Sequence, residues 1–295
     1  CNVIKYESGS TCVINQLEVY SRTTRITEVS ESFNESLFDK VHIFCELVYY
    51  LPNRIFKHFP NITELKISSD IPTLLEINAK DFTDVEQLKS VQISGQRLHT
   101  LPAKTFSGAP SIEKLFLPSN YIEKVHSKAF EGLVNCKFLV LSNNRIDFIF
   151  EDTFKILPKL STLNLEGNYL KTVSKKLFEG IALSVWDVSY NRINSFTLEP
   201  VKNFIKSSEN QNFVFSLRNN ECSEFDDKFL FDENNSNLML RKTVSSCIKS
   251  SEEECGEKCD KTDDETNESV KSDEGIEEDM EEDISKASKT AEVSN

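Results

Sequence analysis

The chain has 295 residues, 38% of them hydrophobic, which suits one large domain or two modest ones with a sizeable core. Its formal net charge of −14 is uneven: residues 251–295 hold 18 acidic and 5 basic side chains, leaving a nearly neutral body. Neither part offers the basic face that nucleic-acid binding needs, and no run approaches the ~18 apolar residues of a membrane-spanning helix.

Taken in chain order, CNVIKYESGSTCVI (Cys1 to Ile14) reads as a small β-hairpin with Gly9-Ser10 at its turn. From Phe38 onward a period takes over. Alternate apolar pairs stand at Val41/Ile43, Leu65/Ile67, Val91/Ile93, Leu115/Leu117, Leu139/Leu141, Leu163/Leu165, Trp186/Val188 and Phe215/Leu217. The first seven are 24, 26, 24, 24, 24 and 23 residues apart, and the last follows after 29. Three residues beyond each pair lies a polar residue: Glu46, Asp70, Gln96, Asn120, Asn144, Asn168, Asn191 and Asn220. A phenylalanine recurs at Phe56, Phe82, Phe106, Phe130, Phe154 and Phe178. Fixed spacing of this kind means stacked repeats.

The clearest units are IEKLFLPSN (Ile112 to Asn120), CKFLVLSNN (Cys136 to Asn144) and LSTLNLEGN (Leu160 to Asn168). Their L-x-x-L-x-L-x-x-N pattern resembles the leucine-rich-repeat family in its 24-residue, extracellular form. The resemblance implies an α/β, mostly β, solenoid with a parallel sheet on its concave face. Physical chemistry gives each position its task. Side chains alternate across a strand, so Leu163 and Leu165 point inward while Thr162, Asn164 and Glu166 point outward. One coil cannot bury its apolar face alone, so coils must stack. Where the strand ends, the chain turns inward and leaves backbone groups without ladder partners. An asparagine carries both a donor and an acceptor to meet them. The recurring phenylalanine fills the wider space under the convex side. Glu46 and Asp70 only accept when ionised, and the 26-residue unit carries Pro72, so irregular loops are expected there.

The same resemblance implies capped ends. Cys1–Cys12 would close the N-terminal hairpin and Cys222–Cys247 the cap beginning at NNECSEF, with Cys255 and Cys259 as further candidates. The expected division is an N-terminal cap and irregular coil (1–37), repeats (38–220), a cysteine-containing cap (221–259) and an acidic, disordered tail (260–295). Cys136 replaces a core leucine and reads as a buried free thiol. Cys45, four repeats away, is beyond disulfide reach of it and is either free or joined to a partner chain. Cys255 and Cys259 pair locally or with the cap, link chains, or hold a metal. The zinc reading is the weakest, because none of the four histidines forms an H-x3-H pair. The tail is either a solvating appendage or a contact for a basic partner or calcium.

Eight cysteines and four N-x-S/T sequons, at Asn34, Asn61, Asn234 and Asn267, point to an oxidising compartment and a secreted, glycosylated protein. No phosphate-binding loop, dinucleotide fingerprint, metalloprotease helix or nucleophile elbow is present, so no cofactor, metal or catalysis is expected. Binding is the positive expectation. The register places Lys114, Phe116, Phe138, Val140, Asn164, Glu166, Asp187 and Tyr190 on the inner face, with Phe116, Phe138 and Val140 as one exposed apolar patch. The competing reading is that these rings merely cover the sheet by cross-strand packing. His42 and Phe44 form a second candidate contact near the N-terminus. Trp186, on the inward position, reads as core. The partner expected is an extracellular protein, held non-covalently or through Cys45, Cys255 or Cys259. Resemblance to secreted insect proteins of this type suggests innate immunity. Matrix adhesion and an inhibitor scaffold are the alternatives.

Overall fold

A computed structural model describes residues 11–14, 18–19, 38–44, 47–51, 55–69, 71–83, 85–174, 176–177, 179–196, 214–221 and 224–225. Nine parallel strands form one sheet, each hydrogen-bonded to the next coil along the chain. They are Thr11–Ile14, Lys40–Phe44, Glu64–Ser68, Ser90–Ile93, Lys114–Phe116, Phe138–Val140, Thr162–Asn164, Val185–Asp187 and Val214–Ser216. This is the leucine-rich-repeat solenoid, and its register is the one the periodicity predicts. Cys12, Val41, Leu65, Val91, Leu115, Leu139, Leu163, Trp186 and Phe215 are cross-strand neighbours, and all are buried.

Behind the sheet the described residues return mostly through turns, with one short helix among them, Ile55–His58. Phe56, Phe82, Phe106, Phe130 and Phe154 fill this side as buried rings. Their centroids lie 5.9 Å (Phe56–Phe82), 4.9 Å (Phe82–Phe106) and 6.1 Å (Phe130–Phe154) apart, within the range of favourable aromatic contact. Gly108 belongs to this layer for a steric reason. A Cβ there would collide with the carbonyl of Phe82 on the coil before, so only glycine allows the two backbones to approach.

The asparagines do what the turn requires. Asn144 Nδ2 donates to Leu117 O of the preceding coil (2.9 Å) and to Leu141 O of its own (3.0 Å). Its Oδ1 accepts from the Ile122 N–H at 3.1 Å. Asn120, Asn168, Asn191 and Asn220 repeat the arrangement. Gln96 keeps half of it: Oε1 accepts from the N–H groups of Thr73 and Leu74, but Nε2 donates only to Ser94 O in its own coil. The residue before each of these amides has a left-handed backbone: Gly95, Ser119, Asn143, Gly167, Tyr190 and Asn219, with φ between 53° and 67°. That requirement is local to the turn and explains why small or amide residues recur there.

The irregular unit around Pro72 is observed. Ile71 and Leu75 are exposed, and the coil is tied back by the Tyr50–Glu76 bridge and by Thr73, whose hydroxyl both accepts from Val48 N–H and donates to Val48 O. At the N-terminus, Thr11–Ile14 runs parallel to Lys40–Phe44 and starts the sheet, with Cys12 buried. The other arm of the expected hairpin, including Cys1, Gly9 and Ser10, lies outside the described residues. So do Cys45, Glu46, Asp70, Phe178, Cys222, Cys247, Cys255, Cys259, Asn34, Asn234, Asn267 and the acidic tail.

Candidate functional site: the inner face of the sheet

Two rows of outward side chains cross the sheet. One runs Thr11, Lys40, Glu64, Ser90, Lys114, Phe138, Thr162, Val185, Val214. The other runs Val13, His42, Lys66, Gln92, Phe116, Val140, Asn164, Asp187, Ser216. The strand pattern that sends leucines into the core thus brings these residues together from coils about 24 residues apart.

The face has three zones. Near the N-terminus it is basic and open. Glu64 takes a 3.2 Å contact from His42 Nε2 and lies 4.0 Å from Lys40 Nζ, while Lys66 has no ion-pair partner among the described residues. Phe44 is exposed beside them. In the middle, Phe116 and Val140 are half-buried and Lys114 Nζ stands 5.7 Å over the Phe138 ring. Toward the C-terminus the face is polar but closed to solvent: Thr162, Asn164, Val185, Asp187, Ser189 and Ser216 are all buried.

This corrects part of the sequence expectation. Phe138, Asn164 and Asp187 stand on the predicted side of the sheet but are not open to solvent. Phe138 is 9% exposed, because the Lys114 side chain covers its ring. The single patch of Phe116, Phe138 and Val140 is therefore reduced to the edges of Phe116 and Val140. Asn164 is held locally, its Oδ1 accepting from the Glu166 N–H at 2.9 Å. Asp187 is 2% exposed. Its Oδ1 accepts from the Ser189 N–H (2.8 Å) and hydroxyl (2.6 Å), whereas Oδ2, with Ser216 on the adjacent strand, makes no hydrogen bond of normal geometry among the described residues. Burial pushes its pKa up, against the pull of Ser189 and the nearby Arg218 cation. Lys114 and Glu166 remain half-buried, and Tyr190 is 50% exposed.

The readings of Trp186 and Cys136 as buried residues hold. Trp186 is core and meets the Phe215 ring at 4.7 Å between centroids. Cys136 is a free, buried thiol, its Sγ 3.6 Å from Phe138 O, and burial raises its pKa to about 12. Asn61 is exposed in a turn, with Thr63 of its sequon donating to Asp39 O.

The inner-face register does not reveal Phe148 and Phe150. They are 57% and 51% exposed and meet edge to face at 5.0 Å, flanking the buried Ile149. The sequence signal was the run DFIF, whose alternation places Phe148 and Phe150 on the side opposite Ile149. Among the described residues no group of three metal-ligating side chains occurs, and no helix is long and apolar enough to cross a membrane.

A family model described as leucine rich repeat matches residues 86–146 and 135–193. No curated protein matches the sequence. Solved structures do resemble it in fold. A leucine-rich-repeat protein of Leptospira interrogans has a TM-score of 0.58 and 20% identity, covering 75% of this chain and 52% of its own. A chain of the mouse RP105/MD-1 complex gives 0.53 and 20%, covering 63% and 31%. One from the Drosophila Toll–Spatzle complex gives 0.52 and 19%, covering 65% and 27%. The chain thus spans between a quarter and about half the length of these structures. At such identities the likeness establishes architecture alone: residues 86–193 are leucine-rich repeats, and the described coils on either side continue the same solenoid.

Proposed function

We propose that this chain is a non-enzymatic recognition module that binds an extracellular protein on the inner face of its sheet. The observation that carries the reading is that the core is complete without that face. The inward residues alone close the solenoid, while His42, Lys66, Gln92, Lys114, Phe116 and Val140 stay partly accessible across adjacent strands. A row of mixed basic and apolar groups on a stiff scaffold gives a partner pre-arranged contacts at little ordering cost. The exposed Asn61 sequon suits a secreted, glycosylated chain, and resemblance to secreted insect proteins suggests a role in innate immunity.

The test is affinity capture from extracellular fluid with the wild-type chain and with Lys66→Glu and Phe116→Asp, each run with and without reductant. A specific protein captured by wild type and lost by both variants supports the reading. Release only under reductant assigns a covalent link to an external cysteine such as Cys45, Cys255 or Cys259. Equal capture by all three chains removes the inner face from consideration.

A further inference from the structure

At the exit of the strands, directly after the buried amide of each coil, one position forms a second row: Arg97, Tyr121, Arg145, Tyr169, Arg192, closed by Glu221. Arginine and tyrosine alternate along it. Backbone hydrogen bonds at this position bind coil to coil, from the N–H groups of Arg145, Tyr169 and Arg192 to Ile122 O, Ile146 O and Leu170 O. The Arg145 guanidinium carbon lies 4.3 Å over the Tyr121 ring, and that of Arg192 lies 4.2 Å over Tyr169. His99 meets the other side of this chemistry, 5.9 Å from the Tyr121 ring. Arg97, Arg145 and Arg192 are exposed, and none has a carboxylate partner among the described residues. The body of the chain is nearly neutral, so these three guanidinium groups in register make a local positive stripe.

The acids nearest in sequence leave the arginines available. Glu123 is 3.6 Å from His99, and Asp147 forms no ion pair among the described residues. Stacking on tyrosine fixes the plane of Arg145 and Arg192 while leaving their N–H edges free. A fixed planar fork suits bidentate binding of a carboxylate.

We propose that this row seats an extended acidic segment of a protein partner, with carboxylates recurring every third residue. The spacing argument is direct. Coils in a parallel sheet lie ~4.8 Å apart, so alternate coils present guanidinium groups ~9.6 Å apart. A polyproline II segment has three residues per turn and rises ~3.1 Å per residue, so it presents the same face every ~9.3 Å. Tyr121 and Tyr169 lie beneath the guanidinium groups of Arg145 and Arg192 and support them from the coil before. The inference rests on the reading of the chain as a recognition module and assigns the partner's chemistry on a different face.

The test uses the full chain and a fluorescent peptide of repeated Glu-Pro-Pro units, read by anisotropy. A control peptide has the same composition with its glutamates adjacent. The spaced peptide is expected to bind saturably, to lose binding in concentrated salt, and to bind more tightly than the control. Arg145→Ala and Arg192→Ala should each weaken it roughly tenfold. Arg145→Lys, which keeps the charge but loses the planar stack, should fall between Arg145→Ala and wild type. No saturable binding, equal binding of the two peptides, or indifference to the arginine variants overturns the proposal. So does a sulfated polysaccharide that binds more tightly at the same arginines. Phe116→Asp should leave peptide binding intact; if it abolishes it, the peptide sits on the inner face and this row is excluded while the recognition reading stands.

Discussion

Single residues here are governed by what they bring to a buried turn. Asn144 serves the Ile122 N–H and two carbonyls, Leu117 O and Leu141 O, which it shares with Asn120 and Asn168 of the coils on either side. Asn144→Ala should cost about 1–3 kcal/mol, read as a shift in urea midpoint, because the Ile122 N–H is orphaned while both carbonyls keep a second donor. Asp187 works in the opposite sense. Its folded pKa is raised by burial, so its stabilising contribution is fully present below the ordinary carboxylate pKa of about 3.9 and is lost as pH climbs through the raised value. Asp187→Asn should therefore match wild type in acid and exceed it by about 1 kcal/mol at neutral pH, in urea titrations run across that range. Tyr190 holds a left-handed backbone where neighbouring coils use Gly167 and Asn219. Tyr190→Asn should gain about 1 kcal/mol. The asparagine role was legible because its chemistry is forced by the strand end. The burial of Asp187 was not, because alternation gives the side of a sheet and says nothing of how closely its neighbours crowd it.

At the scale of the element, the rings behind the sheet matter more than the rings that meet solvent. Phe106→Ala should cost about 3–5 kcal/mol by chemical denaturation, because coils on both sides hold the cavity open. Phe148→Ala should stay within about 0.5 kcal/mol, since more than half of that ring is already wet. Both residues look alike in composition, and only the fixed period separates them. Phe106 belongs to the repeating position; Phe148 does not. The same logic explains where the sequence reading of the candidate site fell short. The strand register placed Phe116, Phe138 and Val140 correctly on one side, but the lysine arching over Phe138 from the adjacent coil is a contact between side chains 24 residues apart. The periodicity predicts that they meet, not that the ammonium tail lies across the ring. Phe138→Asp should accordingly destabilise the fold, whereas Phe116→Asp should spare it, as compared by circular dichroism melts.

For the molecule as a whole, architecture was readable because every coil repeats the same solution, and eight recurrences of one pattern leave little room for another fold. The exposed arginine–tyrosine row is hidden in the sequence for the converse reason. It alternates between coils, so its period is two repeats and it vanishes when units are aligned one by one. The amide ladder also has a direction. From Asn120 onward each amide both donates to and accepts from the coil before it, whereas Gln96 makes its two bonds to the preceding coil as an acceptor and spends its donor within its own coil. The solenoid is thus a zip whose teeth mesh fully in its later half. Under mild denaturant it should open from the end bearing Lys40–Phe44 and Glu64–Ser68, with amide hydrogens there trading for deuterium well before those of the coils around Leu139 and Leu163.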